Sequence, residues 1–152
     1  MKQDRFLIGI LAGIALLVVI SLVVFFTRQN NQAYMADDTP EGVVHNYVLA
    51  AINDDYEKAY SYLADKKGKP SLDNFIADLQ PSSNIGVDIG NTRINGNIAT
   101  VEITIVSNTG EPLSGRWTYE DQATLVRQTD GWKLTSMQYD FWGYNWYQDS
   151  YQ

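Results

Sequence analysis

Apolar residues change their spacing three times along this chain. From Phe6 to Phe26 they are continuous, FLIGILAGIALLVVISLVVFF, with Ser21 the one mildly polar member. As a helix that run rises about 31 Å, close to a hydrocarbon core of about 30 Å, so it predicts a transmembrane helix over 6–26. From Val43 to Leu79 the apolar positions recur at helical spacing, and from Ile85 they alternate as in strands. The chain ends in aromatic residues without a clear period.

The helical part has three starts. Thr39-Pro40-Glu41 combines an N-cap, a proline at the first position and an acid in the first turn. Val43, Val44, Tyr47, Val48, Ala51 and Ile52 then form one apolar face, with His45 and Asn46 pointing away from it. Asn53-Asp54-Asp55 breaks and recaps the chain before a short helix, Tyr56 to Leu63, with Tyr56, Ala59, Tyr60 and Leu63 on one side. After the polar loop Asp65 to Pro70, Ser71 caps a third helix that buries Leu72, Phe75, Ile76 and Leu79. Pro81 prevents its continuation.

Ile85, Val87 and Ile89 open the alternating part. Asn95-Gly96 reads as a type I′ hairpin turn between Ile94 and Ile98. Ala99, Val101, Ile103 and Ile105 mark a strand with one wet face. A turn-rich connection over 108–115 leads to a long strand, Arg116 to Gln128. Asp130-Gly131 turns it into a last strand, Trp132 to Tyr139. Helices followed by an antiparallel meander give an α+β domain, about three helices packed on a curved antiparallel sheet. The boundaries read as an N-terminus over 1–5, the transmembrane helix over 6–26, a linker over 27–38, the domain over 39–139 and an aromatic tail over 140–152.

Other features place this domain. A cleaved secretory signal would have a shorter apolar core and a small-x-small site, and Tyr34 spoils the approximate site at Ala36. Lys2 and Arg5 precede the helix, and after Arg28 no cation appears until Lys58. The positive-inside rule then puts the N-terminus in the cytoplasm and the domain outside, as a single-pass signal-anchored protein of the cell membrane. Gly9 and Gly13 form a G-x-x-x-G pair that would suit helix packing and a homo-oligomer, although small residues are common in such helices. From Asp37 onward 17 acidic side chains face 8 basic ones, a net charge of −9. That argues against nucleic acid. With no cysteine and one histidine, the chain predicts no disulfide, no metal site and no cofactor.

TPEGVVHNYVLAAINDDYEKAYSYL, with Tyr47, Ala50, Asp54, Asp55, Tyr56, Ala59, Tyr60 and Leu63, resembles the opening of the nuclear transport factor two-like superfamily, a cone-shaped α+β fold. DGWKL, Asp130 to Leu134, is similar to that superfamily's hairpin into its terminal strand. The resemblance covers Thr39 to about Tyr139. It points to membrane-anchored extracytoplasmic bacterial members of undefined role, and it implies a fold and a pocket rather than an activity.

An isomerase- or dehydratase-like site in such a cone needs a cavity carboxylate and a facing acid or phenol. Alternation puts Trp117, Tyr119, Asp121, Ala123 and Leu125 on one side of the long strand. Asp121 and Tyr119 are therefore the acid–phenol pair this chain offers. A bulge would send Asp121 to solvent, and Glu120-Asp121-Gln122 reads as an exposed or bent stretch. The tail, with Trp142, Tyr144, Trp146 and Tyr147, has three destinations. It plugs the cone mouth, presents a stacking surface for glycan or a partner protein, or lies at a membrane interface. The chain predicts a non-catalytic domain that binds a partner, an envelope polymer or a small apolar ligand through Trp117, Tyr119 and the tail. The alternatives are the enzyme using Asp121 and Tyr119, and a structural subunit of a membrane complex.

Overall fold

The structure, a computed structural model, describes residues 5–28, 33–79, 81, 85–107 and 117–147. The expectations for the first four residues, for the Arg5 and Arg28 side chains, for the connection over 108–115 and for the last five residues lie outside the described ones. The chain divides into two units, Met1–Ala33 and Tyr34–Gln152.

The first unit contains helix α1, Arg5–Arg28. Here the expected transmembrane helix is corrected: among the described residues, no helix is long and apolar enough to cross a membrane. α1 runs for 24 residues, and its side chains are described over 8–24. A Cβ added at Gly9 or Gly13 would meet nothing within 4 Å.

The second unit is α+β. Helices α2 (Pro40–Ile52), α3 (Tyr56–Ser61) and α4 (Leu72–Asp78) precede a four-stranded antiparallel sheet of β1 (Ile85–Asn95), β2 (Ile98–Ser107), β3 (Trp117–Gln128) and β4 (Gly131–Ser136), paired in chain order. The helix starts follow from local chemistry. Thr39 Oγ1 accepts from the Gly42 amide at 3.2 Å, Asp55 caps α3, and Ser71 caps α4. Burial differs from the simple facial pattern. Ile52 and Ile76 are exposed, whereas Asn46 is buried. Residues 35–37 cover the side of α2 assigned to solvent. Asn46 Oδ1 accepts from the Met35 amide at 2.7 Å, and its Nδ2 donates to Met35 O at 2.8 Å and to Asp37 Oδ1. Tyr62 donates to the same Asp37 oxygen at 3.1 Å. Part of the expected linker is thus fastened to the domain. His45 is half-buried, 3.3 Å from Asn46 Oδ1.

Both hairpin turns sit one residue from their expected places. Asn95 pairs with Ile98, so Gly96 and Asn97 form the turn. Gly96 takes a positive φ of 62° and Asn97 does not, which is the pattern of a type II′ turn rather than I′. Gln128 pairs with Gly131 around Thr129 and Asp130. The β4 edge is covered by the chain after α3. Leu63 bridges Leu134 in parallel, with Ala64 N donating to Leu134 O and Leu134 N to Tyr62 O. This protects an otherwise open sheet edge. The core lies between the helices and one sheet face, around Tyr47, Leu63, Phe75, Ile103, Ile105, Leu125, Leu134 and Phe141.

Candidate functional site

The chain expected as a tail from residue 140 is core. After β4 it makes a 3-10 turn, Tyr139–Phe141, and lays its rings over the helices. Phe141 is fully buried and Trp146 is 5 % exposed. Tyr47 donates to Phe141 O at 2.5 Å, and Trp146 Nε1 donates to Asp78 Oδ2 at 2.9 Å. Trp146 stacks on Phe75 with centroids 5.0 Å apart, and Trp142 stacks on Tyr147 at 5.8 Å. Tyr147 donates its hydroxyl to Ala64 O and its amide to Gly68 O. Burial pushes the phenols of Tyr47 and Tyr147 well above the ordinary range. A Cβ at Gly143 would stand 2.1 Å from Trp146 Nε1, so only glycine admits that indole. Among the four tail aromatics expected to bind, Trp142, Trp146 and Tyr147 are committed to packing, and Tyr144 is 85 % exposed.

A different aromatic group remains open at the other end of β3. Trp117, Tyr119 and Asp121 stand opposite Ser107, Ile105 and Ile103 of β2, with no register shift between them. Directly paired residues share a face. All three therefore stand on the core-facing side of the sheet, the side on which alternation places them. Yet β4 pairs with β3 only from Thr124 to Gln128. Residues 117–123 project beyond it, and Asp121 is exposed without any bulge on the β2 side.

In place of β4, the residues after it approach Tyr119. Its hydroxyl donates to Asp140 Oδ2 at 2.7 Å. The Gln138 amide donates to the Tyr119 oxygen at 2.6 Å and to Asp140 Oδ2 at 2.8 Å. Gln138 Oε1 in turn accepts from the Asp140 amide at 2.7 Å. Gln138 is 2 % exposed, and its side chain locks the other two in place. Burial, then the bond and charge of Asp140, raise the Tyr119 phenol far above its ordinary value. The Trp117 ring stacks against Tyr119, centroids 5.7 Å apart and planes 24° apart, and is 55 % exposed. Tyr139 beside them is 78 % exposed.

The structure thus separates the expected acid–phenol pair. The Tyr119 hydroxyl donates to Asp140, while Asp121 accepts from the Gln122 amide at 2.7 Å. Asp121 borders an open groove of about 430 Å³ with Gly90, Ile103 and Gln122. A second groove, about 500 Å³, lies between Ser61, Asp65, Lys69, Gln128 and Lys133. Its polar groups are largely paired: Lys133 with Asp130 and Ser61 O, Gln128 with the Asp65 backbone. Among the described residues, no group of three His, Cys, Asp or Glu side chains could hold a metal ion. Sequence reasoning missed Gln138 and Asp140. Their i, i+2 spacing after a strand is a faint sign of a shared side, but the contact with Tyr119 is non-local.

No protein-family model matches the chain, and no curated protein matches it. Among solved structures it is similar to the solution structure of a SEC-C motif containing protein from Rhodopseudomonas palustris. The TM-score is 0.52 at 13 % identity, covering 67 % of this chain and 79 % of that one. A likeness at that identity concerns the fold alone.

Proposed function

We propose that residues 34–147 form a non-catalytic binding module of the nuclear transport factor two-like type, which meets its partner through Trp117, Tyr119 and Tyr139. The order of helices then antiparallel strands supports the architecture. One observation carries the function: the Tyr119 hydroxyl is spent on Asp140 at 2.7 Å while Trp117 beside it stays over half exposed. A catalytic phenol must offer its hydrogen bond to the reacting oxygen, and this one is directed at Asp140. Asp121 is exposed and borders an open groove, not the enclosed cavity that an isomerase-like site needs. A half-exposed indole braced by a buried polar network suits recognition, since its orientation is set before a partner arrives.

The test is a fragment screen on the full chain, read from its four indole N–H signals by 15N-resolved NMR. Fragments are expected to shift the Trp117 signal and to spare Trp146. Binders that move Trp146 and leave Trp117 untouched would place the contact surface elsewhere.

A further inference from the structure

We infer that the partner at this surface is a neutral, polyhydroxylated saccharide chain, bound with one sugar ring against Trp117. The inference rests on the binding role just given to the patch.

The arrangement along β3 is the first argument. Trp117, Tyr119 and Asp121 alternate on one face at about 6.8 Å intervals, so the surface runs for roughly 14 Å along the strand. It begins with an indole and ends with an exposed carboxylate. Such a strip fits an extended chain lying along the strand better than a compact ligand, which would call for an enclosing cavity.

The mixture of groups is the second. A pyranose has one face of C–H bonds and a rim of hydroxyls. The C–H face packs on an aromatic ring, and each hydroxyl needs an acceptor or donor. Here the indole platform is half-open, and the carboxylate of Asp140 is held by Tyr119 and Gln138. Both of those bonds go to Oδ2, and Oδ1 is the oxygen we assign to a ligand hydroxyl. The Gln138–Tyr119–Asp140 network fixes that carboxylate before binding, which lowers the entropic cost of pairing it with a flexible chain. Tyr139 adds a second exposed ring beside it.

Charge selects among saccharides. The chain from Asp37 on carries −9, and the site itself presents Asp121 and Asp140. Among the described residues of the Trp117, Tyr119, Asp121, Gln138, Tyr139 and Asp140 set, the charged side chains are both carboxylates. A sulfated, phosphorylated or uronic-acid polymer would be repelled, whereas neutral hexose or N-acetylhexosamine units would not.

The experiment titrates cellohexaose and chitohexaose separately into the full chain, with heparin hexasaccharide and a proline-rich peptide as competitors of other chemistry. Affinity is read by isothermal titration calorimetry for every variant, and the Trp117 indole signal locates the contact wherever that residue is present. At least one neutral hexaose is expected to bind, and Trp117→Ala to weaken it about tenfold, near the upper end for loss of one aromatic contact. Asp140→Asn should weaken it severalfold, while Ile94→Ser, at the far end of the sheet, should leave it unchanged. If neither neutral hexaose binds while the peptide or heparin shifts Trp117, the saccharide assignment is wrong and the binding surface stands. If the hexaoses bind with equal affinity to wild type and Trp117→Ala, both the assignment and the surface are wrong. Circular dichroism of each variant separates lost binding from lost fold.

Discussion

Single side chains decide much of this domain. Asn46 is the clearest case, because a polar residue next to His45 and off the apolar face of the helix looks like solvent-facing surface. Its amide satisfies both the N–H and C=O of Met35, so it acts as a surrogate strand partner for chain that would otherwise hang free. Asn46→Ala would leave these groups unpaired against α2. A loss of about 2 kcal/mol is expected, within the range for stranding buried hydrogen-bonding groups. Urea unfolding with an unchanged slope would check it. Tyr119→Phe tests the polar network. Removing the hydroxyl takes away one of the two acceptors of Gln138 Nε2 and one of the donors to Asp140, and about 1 kcal/mol should be lost. The same variant should remove one late-ionising tyrosine from an alkaline absorbance titration.

At the scale of elements, the sequence shows local chemistry well and destinations poorly. The caps at Thr39, Asp55 and Ser71 were legible because the cap and the amide it serves lie within three residues of each other. Alternation along β3 correctly placed Trp117, Tyr119 and Asp121 on one face, because the β2–β3 register runs without a shift. The turns slipped by one residue, since the glycine at 96 suits the first central position of one turn type as well as the second of another. Asp121 could not be judged from the strand alone, as its exposure depends on where β4 stops. The fate of the tail was equally hidden: its anchors, Asp78, Ala64, Gly68 and Tyr47, are all remote in sequence. Two predictions belong here. Gly143→Ala forces a methyl into the Trp146 indole and should cost about 2–3 kcal/mol, as overpacking does. Trp146→Ala should cost about 3–5 kcal/mol, with the Phe75 stack lost. Thermal unfolding of both variants checks the pair, and an unaffected melting temperature in Trp146→Ala would show that the C-terminal segment does not contribute to the core.

For the whole molecule, alkaline pH is the informative variable. Burial, aided by Asp37, raises the Tyr62 phenol to about 12, and Tyr47, Tyr119 and Tyr147 are raised as well. A tyrosine whose folded value exceeds its unfolded one, near 10, holds its proton more tightly when folded. Its contribution is complete below about pH 10 and is lost as pH rises toward the folded value. Tyrosine linkage should therefore leave stability unchanged up to about pH 10 and lower it beyond, through about pH 12 for Tyr62. Denaturant unfolding across that window checks the direction, and greater stability at pH 11 than at pH 9 would oppose it.

These scales meet in one division of labour: the rings of Phe141, Trp142, Trp146 and Tyr147 complete the core, and the Trp117 ring at the start of β3 stays open to solvent. Hydrogen exchange at the indole N–H groups of the full chain reads both halves at once. Trp117 should exchange at close to solvent rates, whereas Trp146, bonded to Asp78, should be protected nearly to the level of global unfolding. A protected Trp117 beside a freely exchanging Trp146 would contradict the account.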